Sequence, residues 1–248
     1  MKRLLFFFFA ICIPIFPLLG QSDQNSTNGS FTDSRDSHVY KTVQIGTQVW
    51  MAENLAFLPK VSPAMDHGGA GDKDYSIYYV YDYDFQDFVK PTTDVKGAKS
   101  SEKFIKYGVL YNWAAANSSC PSGWHLPNDK EWQQLEQYLG LGNDEINNMA
   151  KWRESGEVGA KLKSVSGWGA EGKGTDKVGF KALPGGIYWP MSSPMFDKLG
   201  EEAQFWTASD AGAQQRAGMR KLSLDNNGIF RGMSQYFTGM SVRCIKNN

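Results

Sequence analysis

The chain has 248 residues, of which 41% are hydrophobic, so it is long enough to bury a core, most simply as one domain. Its 26 basic and 26 acidic residues balance. Because this leaves no basic field to attract nucleic acid, we expect no nucleic-acid partner. The 15 Phe, 11 Tyr and eight Trp residues indicate either a compact aromatic core or an aromatic binding surface.

The N-terminus has the pattern of an export signal. Lys2 and Arg3 precede an apolar run over residues 4–19, which ends at Gly20. We expect residues 1–20 to be a cleaved signal peptide. The run is short for a membrane span, so the expected contact with the membrane is transient. The sequence therefore predicts an extracytoplasmic protein that is secreted, periplasmic or held at the outer cell surface.

Residues 21–38 are mostly Ser, Asn, Asp, Gln, Thr and Gly, with Phe31 as the one aromatic residue. Such a segment buries too little apolar surface to offset the entropy of ordering, so we predict a disordered polar spacer. The folded domain is expected over residues 39–248. It begins with a predicted hairpin, because residues 40–45 alternate with period two, 46–47 can turn the chain, and 48–51 continue extended.

Residues 79–86 alternate aromatic side chains with Val, Asp and Gln, which is typical of a strand with one aromatic face and one mainly polar face. The acidic residues Asp82, Asp84 and Asp87 lack the turn glycine and distal glutamate of an EF-hand in register. The three histidines, His38, His67 and His125, have no metal-ligand spacing. We therefore expect no metal and no cofactor.

Without the leader, the chain keeps two cysteines, Cys120 and Cys244. In an oxidising compartment two cysteines far apart in sequence usually pair, and two free buried thiols are the alternative. An alanine-rich segment at 113–116 predicts a helix that leads to Cys120.

The best-specified element follows Cys120. Asn128 and Glu131 have the spacing of a capping box, and Gly140 can close the helix in a left-handed conformation. Apolar residues recur at helical spacing along one face of this helix: Trp132, Leu135 and Leu139.

The rest of the chain predicts loops and then strands. Residues 164–194 are rich in glycine and large aromatic residues. Residues 204–209, 220–224 and 229–231 are typical of strands, with a turn at 225–228, and 240–245 closes the sheet. This order favours an α+β fold, an antiparallel sheet with helices gathered to one side, over alternating βαβ units.

Four segments together resemble one known family: 43–55 (VQIGTQVWMAENL), 107–116 (YGVLYNWAAA), 120–127 (CPSGWHLP) with Glu131 and Trp132, and 241–244 (SVRC). They are similar to the Fibrobacter succinogenes major paralogous domain family of exported bacterial proteins, frequent in Bacteroidetes. The resemblance implies a C-type-lectin-like fold, with two main helices, a small antiparallel sheet and long loops. It also implies one disulfide between the helical region and the last strand, which suits Cys120 and Cys244.

We expect a non-catalytic, exported or cell-surface binding module, whose partner is an extracytoplasmic glycan or envelope component. The sequence lacks the Glu-Pro-Asn, Gln-Pro-Asp and Trp-Asn-Asp motifs of calcium-dependent sugar lectins, so exposed aromatic residues would supply the contacts. The candidate ligand-binding residues are Trp168, Tyr188, Trp189 and Trp206, for each of which a core position is the alternative.

Two other functions stay open. One is a structural or assembly protein of the cell envelope. The other is an enzyme of the formylglycine-generating oxygenase type, which the sequence disfavours because that chemistry needs reactive thiols able to hold copper. We find no Ser-His-Asp order, zinc motif or phosphate loop and therefore expect no catalytic residues.

Overall fold

The computed structural model describes residues 28–63, 66, 72–83, 94–169, 174–193 and 195–248. The strands in these ranges are β1 Asn28–Thr32, β2 Val39–Ile45, β3 Gln48–Met51, β4 Tyr78–Tyr79, β5 Leu110–Tyr111, β6 Trp124–His125, β7 Lys151–Arg153, β8 Gly185–Tyr188, β9 Phe196–Leu199, β10 Glu202–Asp210, β11 Arg216–Ser223, β12 Asn226–Gln235 and β13 Ile245–Lys246. The helices are α1 Val95–Lys99, α2 Glu102–Tyr107, α3 Trp113–Ser119, α4 Asp129–Tyr138 and α5 Val158–Leu162.

The strands form three sheets. Sheet A has the order β1-β2-β3-β13-β6, sheet B has the order β7-β12-β11-β10-β8-β9, and sheet C is the pair β4-β5. All neighbours are antiparallel except β8 and β10, which run parallel. Sheet B is the largest element because β10, β11 and β12 pair along most of their length.

The predicted fold class, α+β with two main helices and a small sheet, is wrong. The described chain is mostly β-sheet, with five short helices, and is 19% helical. Among the helices of the described ranges, only α4 is longer than two turns. The helix through the alanines, α3, stops at Cys120, which is extended at φ −63° and ψ 139°. Pro121 follows, and the residue before a proline is sterically kept out of the helical region.

The helix α4 joins sheets A and B. Its predicted capping box is confirmed: Asn128 Oδ1 accepts from the backbone N–H groups of Lys130 and Glu131, and Glu131 accepts from the Asn128 N–H. On its inner face, the Trp132 ring lies 5.0 Å from Trp50 of sheet A and 5.9 Å from Phe205 of sheet B. One of the hydrophobic core clusters therefore forms around this helix.

The N-terminal hairpin is confirmed, with β2 and β3 in register from Thr42 opposite Met51 to Ile45 opposite Gln48. The spacer predicted to be disordered over 21–38 is ordered from Asn28 onward, so this part of the prediction is wrong. Residues 28–32 form β1, which pairs with β2, and the Phe31 ring packs 5.7 Å from Tyr40. Backbone pairing with β2 and the packing of Phe31 thus order a segment that is otherwise polar.

Several predictions lie outside the described residues. They are the signal peptide at 1–20, the first part of the spacer at 21–27, and the positions His67, Asp84 and Asp87. Of the predicted aromatic strand at 79–86, the structure describes residues 79–83, of which Tyr79 lies in β4. None of the helices in the described ranges combines the length and apolar character needed to cross a bilayer.

The predicted pairing of Cys120 with Cys244 is confirmed, with the two Cα atoms 5.9 Å apart. The bond joins the end of α3 to the segment before β13. The strand predicted at 240–245 is mostly irregular, and only its last residue lies in β13. The turn predicted at 225–228 is also shifted, because Ser223 already pairs with Asn226 and leaves 224–225 as the turn.

A groove on the open face of sheet B

The two faces of sheet B have different surroundings. Side chains of alternate residues on β10, β11 and β12 pack toward α4 and join its core cluster: Phe205, Leu222 and Ile229. The neighbours of these residues point to the opposite face, where Gln204, Lys221 and Phe230 line a concave surface. Both faces carry large side chains, but only one packs against α4.

We call this concave surface the open-face groove. Its volume is about 680 Å³, within the range of small-molecule sites. The described residues that line it are Ile187, Trp189, Met191, Gln204, Gln215, Arg216, Met219, Lys221, Phe230, Met233, Ser234, Gln235 and Phe237. The set combines aromatic and methionine side chains with three carboxamides and two cations, and it contains no carboxylate.

One end of the groove is apolar. The backbone N–H of Tyr188 donates to the carbonyl of Gly239, and the reverse bond is also present, which ties the end of β8 to the segment after β12. This brings Trp189 beside Phe237, with ring centroids 5.6 Å apart. Trp189 is half-buried, and Met191 next to it is 72% exposed. An apolar surface this accessible is able to contact a ligand.

The cation Arg216 lies near the same end. It begins β11 and is directly opposite Gln235 on β12. In the amide orientation that satisfies both groups, the Gln235 oxygen accepts from Arg216 Nε at 3.1 Å, and its nitrogen donates to the Gln215 carbonyl at 3.2 Å. The guanidinium is therefore held through Nε.

The other cation, Lys221, already has partners. Its Nζ lies 3.4 Å from Glu202 Oε1 and 5.2 Å from the centre of the Phe230 ring. Gln204 donates to the second oxygen of Glu202 at 2.6 Å. At this end of the groove the charge of Lys221 is therefore balanced by Glu202, and the Phe230 ring lies beside the two.

The four candidate ligand-binding residues fall into two groups. Trp189 lines the groove, whereas Trp168, Tyr188 and Trp206 are fully buried. Trp168 Nε1 donates to the Ala182 carbonyl and Trp206 Nε1 to the Tyr111 carbonyl, and burial raises the pKa of Tyr188 to about 12. A fully buried ring cannot contact a ligand that stays outside the core, so only Trp189 is kept as a candidate.

Sequence reasoning missed the other groove residues, above all Arg216, Phe230, Met233 and Phe237. A signal was present in the sequence of β11 and β12. Successive positions such as Ile229 and Phe230 are both large and apolar, which indicates a strand that uses both faces. Because both faces of these strands carry apolar residues, the alternation of polar and apolar positions does not indicate which face of sheet B is exposed.

The described residues contain no group of three or more His, Cys, Asp or Glu side chains that could hold a metal ion. The ring of His125 instead connects two segments, with Nε2 2.8 Å from Glu131 Oε1 and Nδ1 2.6 Å from Asn247 Oδ1. This histidine ties the start of α4 to the end of the chain.

A second concave surface, of about 580 Å³, lies between the β1–β2 pair and the 176–181 loop. Lysines and small residues line it, and Asp176 is its one acidic group among the described residues. Burial raises the pKa of Asp176. It has no aromatic side chain on which a ligand could stack, so the open-face groove is the stronger candidate.

The fold and the groove define a β-rich, disulfide-linked domain with a groove on one face of its largest sheet. The family model described as the Fibrobacter succinogenes major domain matches residues 43–246. The chain therefore belongs to the Fibrobacter succinogenes major domain family, as its sequence resemblance implied. No curated protein and no solved structure is found to match the chain, and the C-type-lectin-like fold is not confirmed.

Proposed function

We propose that the protein is an exported, non-catalytic binding module that takes a glycan ligand in the open-face groove. The observation that carries this proposal is the half-buried Trp189, packed against the buried Phe237 ring, in the same concavity as three carboxamides. Aromatic faces pack against the apolar faces of sugar rings, and planar amides exchange hydrogen bonds with hydroxyl groups. The groove contains side chains of both kinds.

Two features support export. Lys2 and Arg3 followed by the apolar run at 4–19 form a signal-peptide pattern. The bond between Cys120 and Cys244 is of the kind that persists in oxidising compartments. We propose no catalytic role, and an oxygenase mechanism that needs free thiols would have to break this bond.

The test is a glycan array probed with the mature protein and with Trp189→Ala. We expect binding to at least one class of glycan. The loss in the variant should be about tenfold or more, by analogy with nucleobases, whose stacking on an aromatic side chain is worth roughly 1–3 kcal/mol per base. Tyr138→Ala is the matched control, since Tyr138 is a partly exposed aromatic residue on α4, away from the groove. Equal binding by all three proteins would reject Trp189 as a contact.

A role in envelope assembly is the second candidate. Met191 and Met233 are 72% and 47% exposed, and methionine, tryptophan and arginine are enriched in protein interfaces. This function would be favoured over glycan binding if no glycan on the array bound the protein and if the protein captured one envelope protein in a manner that Trp189→Ala abolished.

A further inference from the structure

The charge of the open-face groove is one-sided. Two of its lining residues, Arg216 and Lys221, are cations, and none of the described lining residues is acidic. Lys221 is offset by Glu202. None of the ion pairs among the described residues involves Arg216. Within the described part of the chain, the groove therefore holds one exposed positive charge, Arg216, that has no ion-pair partner.

The guanidinium of Arg216 is also oriented. Nε is bonded to Gln235 Oε1, and no hydrogen bond between described residues uses the two terminal nitrogens. Two parallel N–H donors match the two oxygens of a carboxylate, and such bidentate pairs are among the stronger hydrogen bonds in proteins. An anion with planar geometry is the best partner for this group.

The cation and the aromatic pair lie at the same end of the groove. Phe237 follows Gln235 by two residues, and Gln235 is the cross-strand partner of Arg216. Phe237 in turn contacts Trp189. Trp189 and Arg216 thus line the same groove, so one ligand can place a ring on Trp189 and direct a carboxylate toward the guanidinium. Arg216 and Lys221 are five positions apart along β11, or about 16 Å at the rise of a strand, so the groove is longer than one sugar ring.

We infer that the open-face groove binds an acidic oligosaccharide, with a sugar ring on Trp189 and its carboxylate bound by Arg216. This inference rests on the proposed function. An acidic peptide is the competing occupant, and the structure disfavours it on one ground. Peptides commonly bind sheets by adding a strand at an edge. The groove instead lies on the face of β10, β11 and β12, whose backbone groups pair with one another.

The test uses uronic acid oligosaccharides in matched pairs: oligogalacturonate, oligoguluronate and hyaluronan fragments, each beside its carboxyl-reduced form. Binding of the mature protein to each is measured by calorimetry. We expect at least one acid to bind about 10- to 100-fold more tightly than its reduced form, because a hydrogen-bonded charge contributes that much. Added salt should lower the affinity for the acid and leave the affinity for the reduced form unchanged.

Three variants separate the contributions. Arg216→Gln should lower the affinity for the acid to that for the reduced form and leave the latter unchanged. Arg216→Lys should have an affinity for the acid between those of the wild type and Arg216→Gln, because it keeps the positive charge but loses the two parallel N–H donors. Lys246→Gln, an exposed cation on sheet A, should behave as the wild type.

The outcomes distinguish the inference from the function that it rests on. If acid and reduced form bind equally and Trp189→Ala abolishes both, the inference is overturned and the glycan function stands. If no saccharide binds, both are overturned. If polyglutamate of similar length binds as tightly as the acids and depends on Arg216, the groove selects carboxylates on a peptide, and the saccharide inference is overturned.

Discussion

Glu136 is a buried carboxylate between two buried arginines. Its oxygens accept from Arg153 at 2.7 and 2.8 Å and from Arg220 Nε at 2.6 Å. Arg220 also reaches Asp129, which in turn binds Arg231. These charges lie between α4 and the packed face of sheet B. Each arginine depends on its acid partner, because a buried charge without a partner is strongly disfavoured.

We expect Glu136→Gln to lower the free energy of unfolding by about 3 kcal/mol or more, since removing one member of a buried ion pair leaves the other uncompensated. Urea denaturation measures the change. Glu201→Gln is the control, because Glu201 pairs with Lys198 at an exposed site and such pairs contribute about 0–1 kcal/mol. Equal losses in the two variants would mean that the buried cluster tolerates a missing charge.

At the scale of the element, α4 is held at its start by charge as well as by its cap. Asp129 occupies the first turn and accepts from Arg231 Nη2 at 2.6 Å and from Arg220 Nη2 at 2.9 Å. Burial alone would raise the pKa of Asp129, but these hydrogen bonds and charges outweigh it and lower the pKa below its usual 3.8. The helix is thus joined to β11 and β12 through one ionised carboxylate.

This shift predicts a pH dependence. Because the pKa is lower in the folded state, the stabilisation by Asp129 is complete well above pH 3.8 and is lost as the pH falls through the lower, folded-state value. At pH 7 we expect Asp129→Asn to cost about 2 kcal/mol in the free energy of unfolding. The gap between variant and wild type should narrow below pH 3.8 in urea titrations.

Asp225→Asn is the matched control, because Asp225 is exposed and its side chain makes one hydrogen bond with the described residues, from Ser223 Oγ at 3.3 Å. It should leave stability within about 0.5 kcal/mol at either pH. A constant gap between Asp129→Asn and wild type from pH 7 to pH 3 would contradict the assignment of the stabilisation to the charged form.

Local elements were predictable because their signals are local. The spacing of Asn128 and Glu131 predicted the start of α4, and period-two alternation predicted the β2–β3 hairpin. Strand pairing is not local: the register of β11 with β12 and the open face of sheet B depend on contacts across the sheet. Three of the four candidate aromatic residues lie in the core. Whether a ring is buried also depends on contacts between distant segments, so composition cannot distinguish a buried ring from an accessible one.

At the scale of the whole molecule, the bond between Cys120 and Cys244 spans 124 residues and encloses α4 and all of sheet B. In the chain-entropy model, closing so long a loop removes unfolded-state freedom worth about 4–5 kcal/mol. The bond also links the end of α3 to the segment before β13 of sheet A. Its loss should therefore destabilise both sheets. Surface ion pairs contribute far less than this.

We expect the Cys120→Ala/Cys244→Ala double variant to fold but to unfold at a temperature lower by about 8–15 °C, which corresponds to roughly 4 kcal/mol for a domain of this size. Calorimetry measures the shift. Wild type unfolded in the presence of reductant should match the double variant, while reductant should leave the double variant unchanged. If the variant keeps the wild-type unfolding temperature, the denatured chain is already compact enough that the crosslink removes little entropy from it.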